Sequence, residues 1–160
     1  MEIKITNRIL ILFISAAFVS VTSALPLGAL PGWSGSVPFD YAGTDGRSLS
    51  GYIDYAVYNV GDYTGTAPSE GDYVYAYQVF NAVTSDVCIE SFSVCLLDGV
   101  DVGDIYADSF PDSIEPFAKY FSPDEISPDN ASFLFLPAPF GAVIGGGEKS
   151  FYLVFSRNTR

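Results

Sequence analysis

Apolar and polar residues alternate along two neighbouring segments in the middle of the chain, as expected for half-buried β-strands. The segments are 48–60, SLSGYIDYAVYNV, and 72–81, DYVYAYQVFN. Both are rich in aromatic and β-branched residues, which favour strands. The short loop between them predicts that the two strands pair antiparallel.

Further β-type segments follow, separated by turns rich in glycine, proline and aspartate: 87–98, 98–108, 131–140 and 150–157. In the first of them the alternation slips, which predicts a bulge near Glu90–Ser91. Residues 113–121 fit a short helix or a strand, and Pro116 weakens both. Short strands at this spacing predict an all-β fold, an antiparallel β-sandwich that is immunoglobulin-like or jelly-roll-like, with at most one short helix near 113–121.

The N-terminal segment has the order of a secretory signal peptide. Lys4 and Arg8 precede the 13-residue, mainly apolar run Ile9–Val21, and small residues follow up to Ala24. We expect residues 1–24 to be cleaved off after Ser23 or Ala24. The alternative is an uncleaved membrane anchor, but 13 helical residues span about 20 Å, less than the ~30 Å of a bilayer core.

The remaining chain divides into two parts. Residues 25–46 are rich in glycine, proline and serine, which predicts an irregular lead-in. Residues 47–160 carry the strand patterns and form one predicted β-sandwich domain. This length suffices for one modest core.

The composition of the chain argues against two classes of function, nucleic-acid binding and histidine-dependent catalysis. The chain has 7 basic and 19 acidic residues, a net charge of −12, and no histidine. Removing residues 1–24 leaves 136 residues with 18 acids and 5 bases, a net charge of −13. A field of this sign repels nucleic-acid phosphates. Without histidine neither a Ser-His-Asp nor a Cys-His catalytic device can form.

Two groups of residues are candidate binding sites. The acids Asp98, Asp101, Asp104 and Asp108 lie close together, but their spacing is not that of a calcium loop, so we interpret them as solvated turn residues and expect no metal. No phosphate or dinucleotide fingerprint occurs, so no cofactor is expected. The second group is aromatic: Trp33, Tyr55, Tyr73, Tyr75 and Tyr77.

The pattern of the aromatic group has two interpretations. If Tyr73, Tyr75 and Tyr77 share a face with Tyr55, they form a cross-strand ladder. That ladder is either packing within the sheet or a contact surface for sugar rings or protein, with Trp33 as a further stacking residue.

Cys88 and Cys95 are the only cysteines. Two cysteines in an exported protein suggest a disulfide. In a straight strand, however, seven residues separate their Cα atoms by about 23 Å, whereas a disulfide needs roughly 7 Å or less. We therefore expect two free, buried thiols, the alternative being a hairpin closed by the disulfide.

The order of the strand motifs resembles a known group of proteins. SGYIDYAVYNVGDY at 50–63, DYVYAYQVFNAVTSDVCIESFSVCLLDG at 72–99, VGDI at 102–105 and SFYLVFSRNT at 150–159 are similar to strands of exosortase-sorted, or PEP-CTERM-type, bacterial proteins and their uncharacterised relatives. The resemblance implies secretion or surface attachment near extracellular polysaccharide, and it brings no catalytic residues. Members continue into a Pro-Glu-Pro motif, an apolar helix and a basic tail, which this sequence lacks.

These observations lead to one expectation and two rivals. We expect a secreted, non-enzymatic structural or adhesive protein of the bacterial cell exterior or extracellular matrix. Its partners would be polysaccharide or other surface proteins, and it would have no membrane attachment after signal cleavage. The first rival is a carbohydrate-binding module that uses exposed aromatic side chains. The second is a carboxylate-based glycoside hydrolase, although no pair of acids stands out for that role.

Overall fold

A computed structural model describes residues 2–5, 8–11, 25–66, 71–96, 102–122 and 130–157. The described residues contain ten strands and one short 3-10 turn. The strands are β1 (Glu2–Ile5), β2 (Arg8–Ile11), β3 (Ser34–Ala42), β4 (Ser48–Asn59), β5 (Tyr73–Asn81), β6 (Ser91–Cys95), β7 (Val102–Asp108), β8 (Ala118–Ser122), β9 (Asn130–Leu134) and β10 (Tyr152–Arg157), and the turn is Val60–Asp62.

The strands form two five-stranded antiparallel sheets. The long sheet has the order β3-β4-β5-β10-β7, and the short sheet has the order β2-β1-β6-β9-β8. The predicted all-β, antiparallel sandwich is therefore confirmed. The predicted pairing of the two alternating segments is also confirmed, because β4 and β5 pair antiparallel with Tyr55 opposite Tyr77.

The main core lies between the two sheets. The inner face of the long sheet contributes Ile53, Val79 and Phe155, and the short sheet contributes Phe92 and Phe133. All five side chains are essentially inaccessible to water. Burying each of them stabilises the fold by roughly 1.5–3 kcal/mol relative to exposure, so this layer holds the two sheets together.

The outer face of the long sheet carries a second, smaller core. Tyr58, Tyr63 and Tyr152 are buried there, together with Leu25 from the lead-in. The Tyr58 hydroxyl donates a hydrogen bond of 2.7 Å to the carbonyl of Pro26, which fastens the lead-in to the sheet. The long sheet therefore buries residues of both parities, which explains why tyrosines occupy both faces of β4, with Tyr55 on one face and Tyr58 on the other.

The loops at one end of the sandwich are joined through Asn81. Its side-chain amide donates to the carbonyls of Val87 and Ile144, each at 2.9 Å, and its main-chain carbonyl accepts from the Gly147 amide. Two segments that are distant from each other in sequence, 82–90 and 135–151, thus share one buried residue. Buried backbone groups need such partners, because an unsatisfied one costs about 1–3 kcal/mol.

Several local predictions differ from the structure. The lead-in is irregular only up to Trp33, because residues 34–42 form edge strand β3, which tolerates Pro38 on its free side. The alternative of a helix near 113–121 is wrong, since β8 occupies Ala118–Ser122. The predicted strand 87–98 is shortened to β6, preceded by an isolated bridge between Ile89 and Ile144. Of the predicted signal peptide, residues 1, 6, 7 and 12–24 lie outside the described residues.

The close approach of strands around Gly51 gives a stability test. A Cβ atom there would overlap the carbonyl oxygen of Phe80 and the ring of Phe39, whereas a Cβ at Gly61 would meet nothing within 4 Å. We expect Gly51→Ala to lower the free energy of unfolding by roughly 1–3 kcal/mol and Gly61→Ala to leave it nearly unchanged. Urea unfolding monitored by circular dichroism measures both. Equal midpoints for the two variants would contradict the described packing.

Candidate functional site

The predicted aromatic ladder exists, and it faces the interior. Tyr55, Tyr75 and Tyr77 lie on the inner face of the long sheet, where Tyr75 and Tyr77 pack against the main core. The Tyr75 ring stacks on Phe155 with centroids 5.1 Å apart, and the Tyr77 ring lies 5.6 Å from Phe92. The ladder therefore contributes to packing within the sheet, as in the first of the two interpretations given above.

Tyr77 is the member of this ladder whose hydroxyl is perturbed by its surroundings. Burial raises the pKa of Tyr77, and the neighbouring Tyr75 and Tyr55 raise it further. Tyr55 and Tyr73 are half-buried, and Tyr73 lies at the end of the sheet where β4 finishes and β5 begins.

Trp33 is the most exposed member of the predicted aromatic group. Its side chain is 59% exposed, although its backbone is fixed by hydrogen bonds to Leu30 and Val57. A large amphipathic ring on a rigid backbone loses little conformational freedom on binding, which suits it to a contact role. Trp33 therefore stays a candidate contact residue.

Other exposed aromatic side chains lie outside the predicted group. Phe117, Tyr120 and Phe140 are more than 45% exposed, and Phe117 lies beside the 137–141 turn that carries Phe140. The sequence patterns do not single out these residues because they fall in irregular segments or in a short edge strand. A further aromatic pair, Tyr52 and Phe80, stacks at 4.2 Å on the outer face of the long sheet.

Asp108 has a structural role that the sequence does not reveal. Its Oδ2 atom accepts a hydrogen bond of 2.6 Å from the Tyr63 hydroxyl and one of 3.0 Å from the Thr66 amide. A Cβ at Gly65 would overlap both this carboxylate and the Tyr63 ring, so glycine is required there. Burial, and then the bond to Asp108, raise the pKa of the Tyr63 hydroxyl. The carboxylate thus anchors the 60–66 loop over the second core.

The predicted weak calcium candidates are only partly described. Asp98 and Asp101 lie outside the described residues. Asp104 lies on β7, where its carboxylate accepts a hydrogen bond of 3.0 Å from the Tyr106 hydroxyl. Among the residues that the structure describes, no group of three acids or cysteines is placed to hold a metal ion.

Both cysteines are free, and both are exposed. The prediction that their thiols are buried is therefore wrong. Phe92 and Val94 of β6 face the core, so alternation turns Cys95 outward at the end of the strand. Cys88 precedes the buried Ile89 and is likewise turned to solvent.

In comparisons with known proteins, no protein-family model, curated protein or solved structure matches the chain. Over the described residues, no helix has both the length and the apolar character needed to cross a membrane.

The Asp108 anchor gives a direct test of the second core. We expect Tyr63→Phe to lower the free energy of unfolding by roughly 1–3 kcal/mol, because it removes a buried hydrogen bond to a carboxylate. Tyr120→Phe is the matched control, since Tyr120 is 48% exposed and should tolerate loss of its hydroxyl. Chemical denaturation of both variants provides the comparison. If the two lose the same stability, the anchor contributes nothing.

Proposed function

We propose that the protein is exported, loses residues 1–24, and serves as a non-enzymatic structural or adhesive component of the bacterial cell exterior or extracellular matrix. The observation that carries this proposal is the combination of a tightly packed sandwich with large apolar side chains that are exposed on its surface. Trp33, Phe117 and Phe140 are each more than half exposed. Phe117 lies beside the turn that carries Phe140, and exposed apolar side chains that are grouped on a rigid scaffold are typical of contact surfaces.

The structural roles of the buried polar residues support the same proposal. Asp108, Asn81 and Ser150 are buried and hydrogen-bonded to loops or neighbouring strands. Each of these bonds holds the scaffold together. The order of strand motifs, with its resemblance to secreted PEP-CTERM-type proteins, points to the same compartment.

Export is tested by the fate of the N-terminus. In cells that make the protein, we expect it in the medium or on the surface, with a mass that corresponds to loss of the first 23 or 24 residues. Phe13→Arg should retain the chain inside the cell, because a charge interrupts the apolar run of the signal peptide. Phe13→Leu is the matched control and should be exported normally. An intact N-terminus in the cytosol would refute the proposal.

A second candidate function is carbohydrate binding, which the exposure of Trp33 favours. Aromatic rings present an apolar face to sugar rings, and Tyr and Trp combine that face with a polar group. Tyr75→Ala does not isolate this function, because the Tyr75 ring is part of the core. Trp33 is the better probe, since its removal leaves the strands in place.

In this second role, we expect Trp33→Ala to reduce retention on the host's extracellular polysaccharide by at least about tenfold, or roughly 1.4 kcal/mol. Tyr120→Ala, which removes an exposed ring from the short sheet, should bind as the parent does. Co-sedimentation with the polysaccharide measures both, and circular dichroism verifies the folds. If Trp33→Ala is retained as well as the parent, the hypothesis of carbohydrate binding through Trp33 is wrong.

A further inference from the structure

Two strands of the short sheet belong to the segment that export would remove. β1 pairs with β6 through Glu2 opposite Ser93, Ile3 opposite Phe92 and Lys4 opposite Ser91. β2 pairs only with β1 and forms the edge of the sheet. Once residues 1–24 are gone, the short sheet consists of β6, β9 and β8, and β6 becomes an edge strand whose outer backbone groups have lost their partner.

The part of the long sheet opposite this new edge can be located from contacts between the sheets. Tyr77 of β5 contacts Phe92 of β6, with ring centroids 5.6 Å apart. At the other side of the sandwich, β7 lies against β8. The two sheets therefore run in the same spatial order, so the positions of β1 and β2 lie opposite β4 and β3.

Loss of β1 and β2 thus leaves a recess beside β6, above the inner faces of β3 and β4. We define the recess by Trp33, Gly35, Tyr55 and Val57. Tyr55 shares the inner face with Tyr77, and a Cβ at Gly35 would lie 2.9 Å from the Tyr55 hydroxyl oxygen, so this ring lies over the glycine. The recess combines an apolar, aromatic wall with an unpaired strand edge.

The shape of the recess limits what can enter it. Strands lie about 4.8 Å apart within a sheet, so β4 and β3 extend roughly 10 Å beyond β6. A second copy that added its own β6 to this edge would bring its long sheet onto β4 and β3. Pairing of two sandwiches edge to edge is therefore blocked, whereas a single extended segment or a hairpin fits.

We propose that this recess binds an extended peptide segment of another polypeptide, one with apolar residues at alternate positions and a net positive charge. This inference rests on the proposed export and cleavage. The edge of β6 supplies backbone hydrogen bonds, and the aromatic wall receives every second side chain, as in other strand-addition complexes. The charge preference follows from the net charge of −13 that remains after cleavage.

β1 and β2, which hold these positions of the short sheet in the full chain, belong to a segment with the same chemistry. Residues 2–11, EIKITNRILI, alternate isoleucine with polar residues in β1 and carry Lys4 and Arg8 against Glu2. A synthetic peptide of this sequence is therefore a suitable probe. Trp33 is the only tryptophan of the chain, and the peptide contains none, so tryptophan fluorescence reports on the recess alone.

The experiment uses the protein recovered from the exporting cells, with its N-terminus read by mass spectrometry. We expect the peptide to bind at a 1:1 ratio in calorimetry, to shift the Trp33 emission and to raise the melting temperature. A peptide with Ile3→Pro and Leu10→Pro should not bind, because proline cannot donate to the strand ladder. Tyr55→Ala should weaken binding by about tenfold, while Tyr55→Phe and Tyr120→Ala should bind as the parent does.

The outcomes distinguish a failure of this inference from a failure of the proposed export and cleavage on which it rests. If the recovered protein keeps residues 1–24, export and cleavage fail, and mass spectrometry alone shows this. If the protein is cleaved and folded but the peptide does not bind, the strand-accepting recess is overturned. Equal binding of the proline peptide, or a shift of Trp33 emission by polysaccharide but not by peptide, would overturn it as well.

Discussion

The pairing of β4 with β5 is the interaction on which the rest of the structure depends. The long sheet buries both of its faces, one against the short sheet and the other beneath the lead-in and the 60–66 loop. A slip of one residue would exchange the two faces, moving Ile53 outward and Asp54 into the main core. The neighbouring strands β3 and β10 take their register from these two, so one correct pairing places four strands.

The alternation of side chains made this pairing predictable from the sequence, together with the sandwich built around it. The limits of the prediction have identifiable physical causes. β3 lies in a segment rich in glycine and proline, and only its place at a sheet edge lets it include Pro38. The exposure of Cys95 depends on which parity of β6 faces the core, and a five-residue strand is too short to reveal that.

The candidate surface could be predicted less well than the fold, because exposure depends on tertiary contacts. Tyr55, Tyr75 and Tyr77 were recognisable as one face of a sheet, but nothing in their spacing tells whether another layer covers that face. Asp108 resembles its acidic neighbours in sequence, and only the return of the 60–66 loop gives it Tyr63 and Thr66 as partners. Local pattern therefore predicts strands, whereas long-range contacts decide which side chains remain available to a ligand.

The position of β10 has a consequence for the order of events in the cell. This strand comes near the end of the sequence, yet it lies between β5 and β7 in the middle of the long sheet. A chain that is still being synthesised lacks the strand that joins these two, and its sheet stays open until residues 152–157 leave the ribosome. Under the proposed export, late completion of the sheet would prolong the time in which the chain can be translocated.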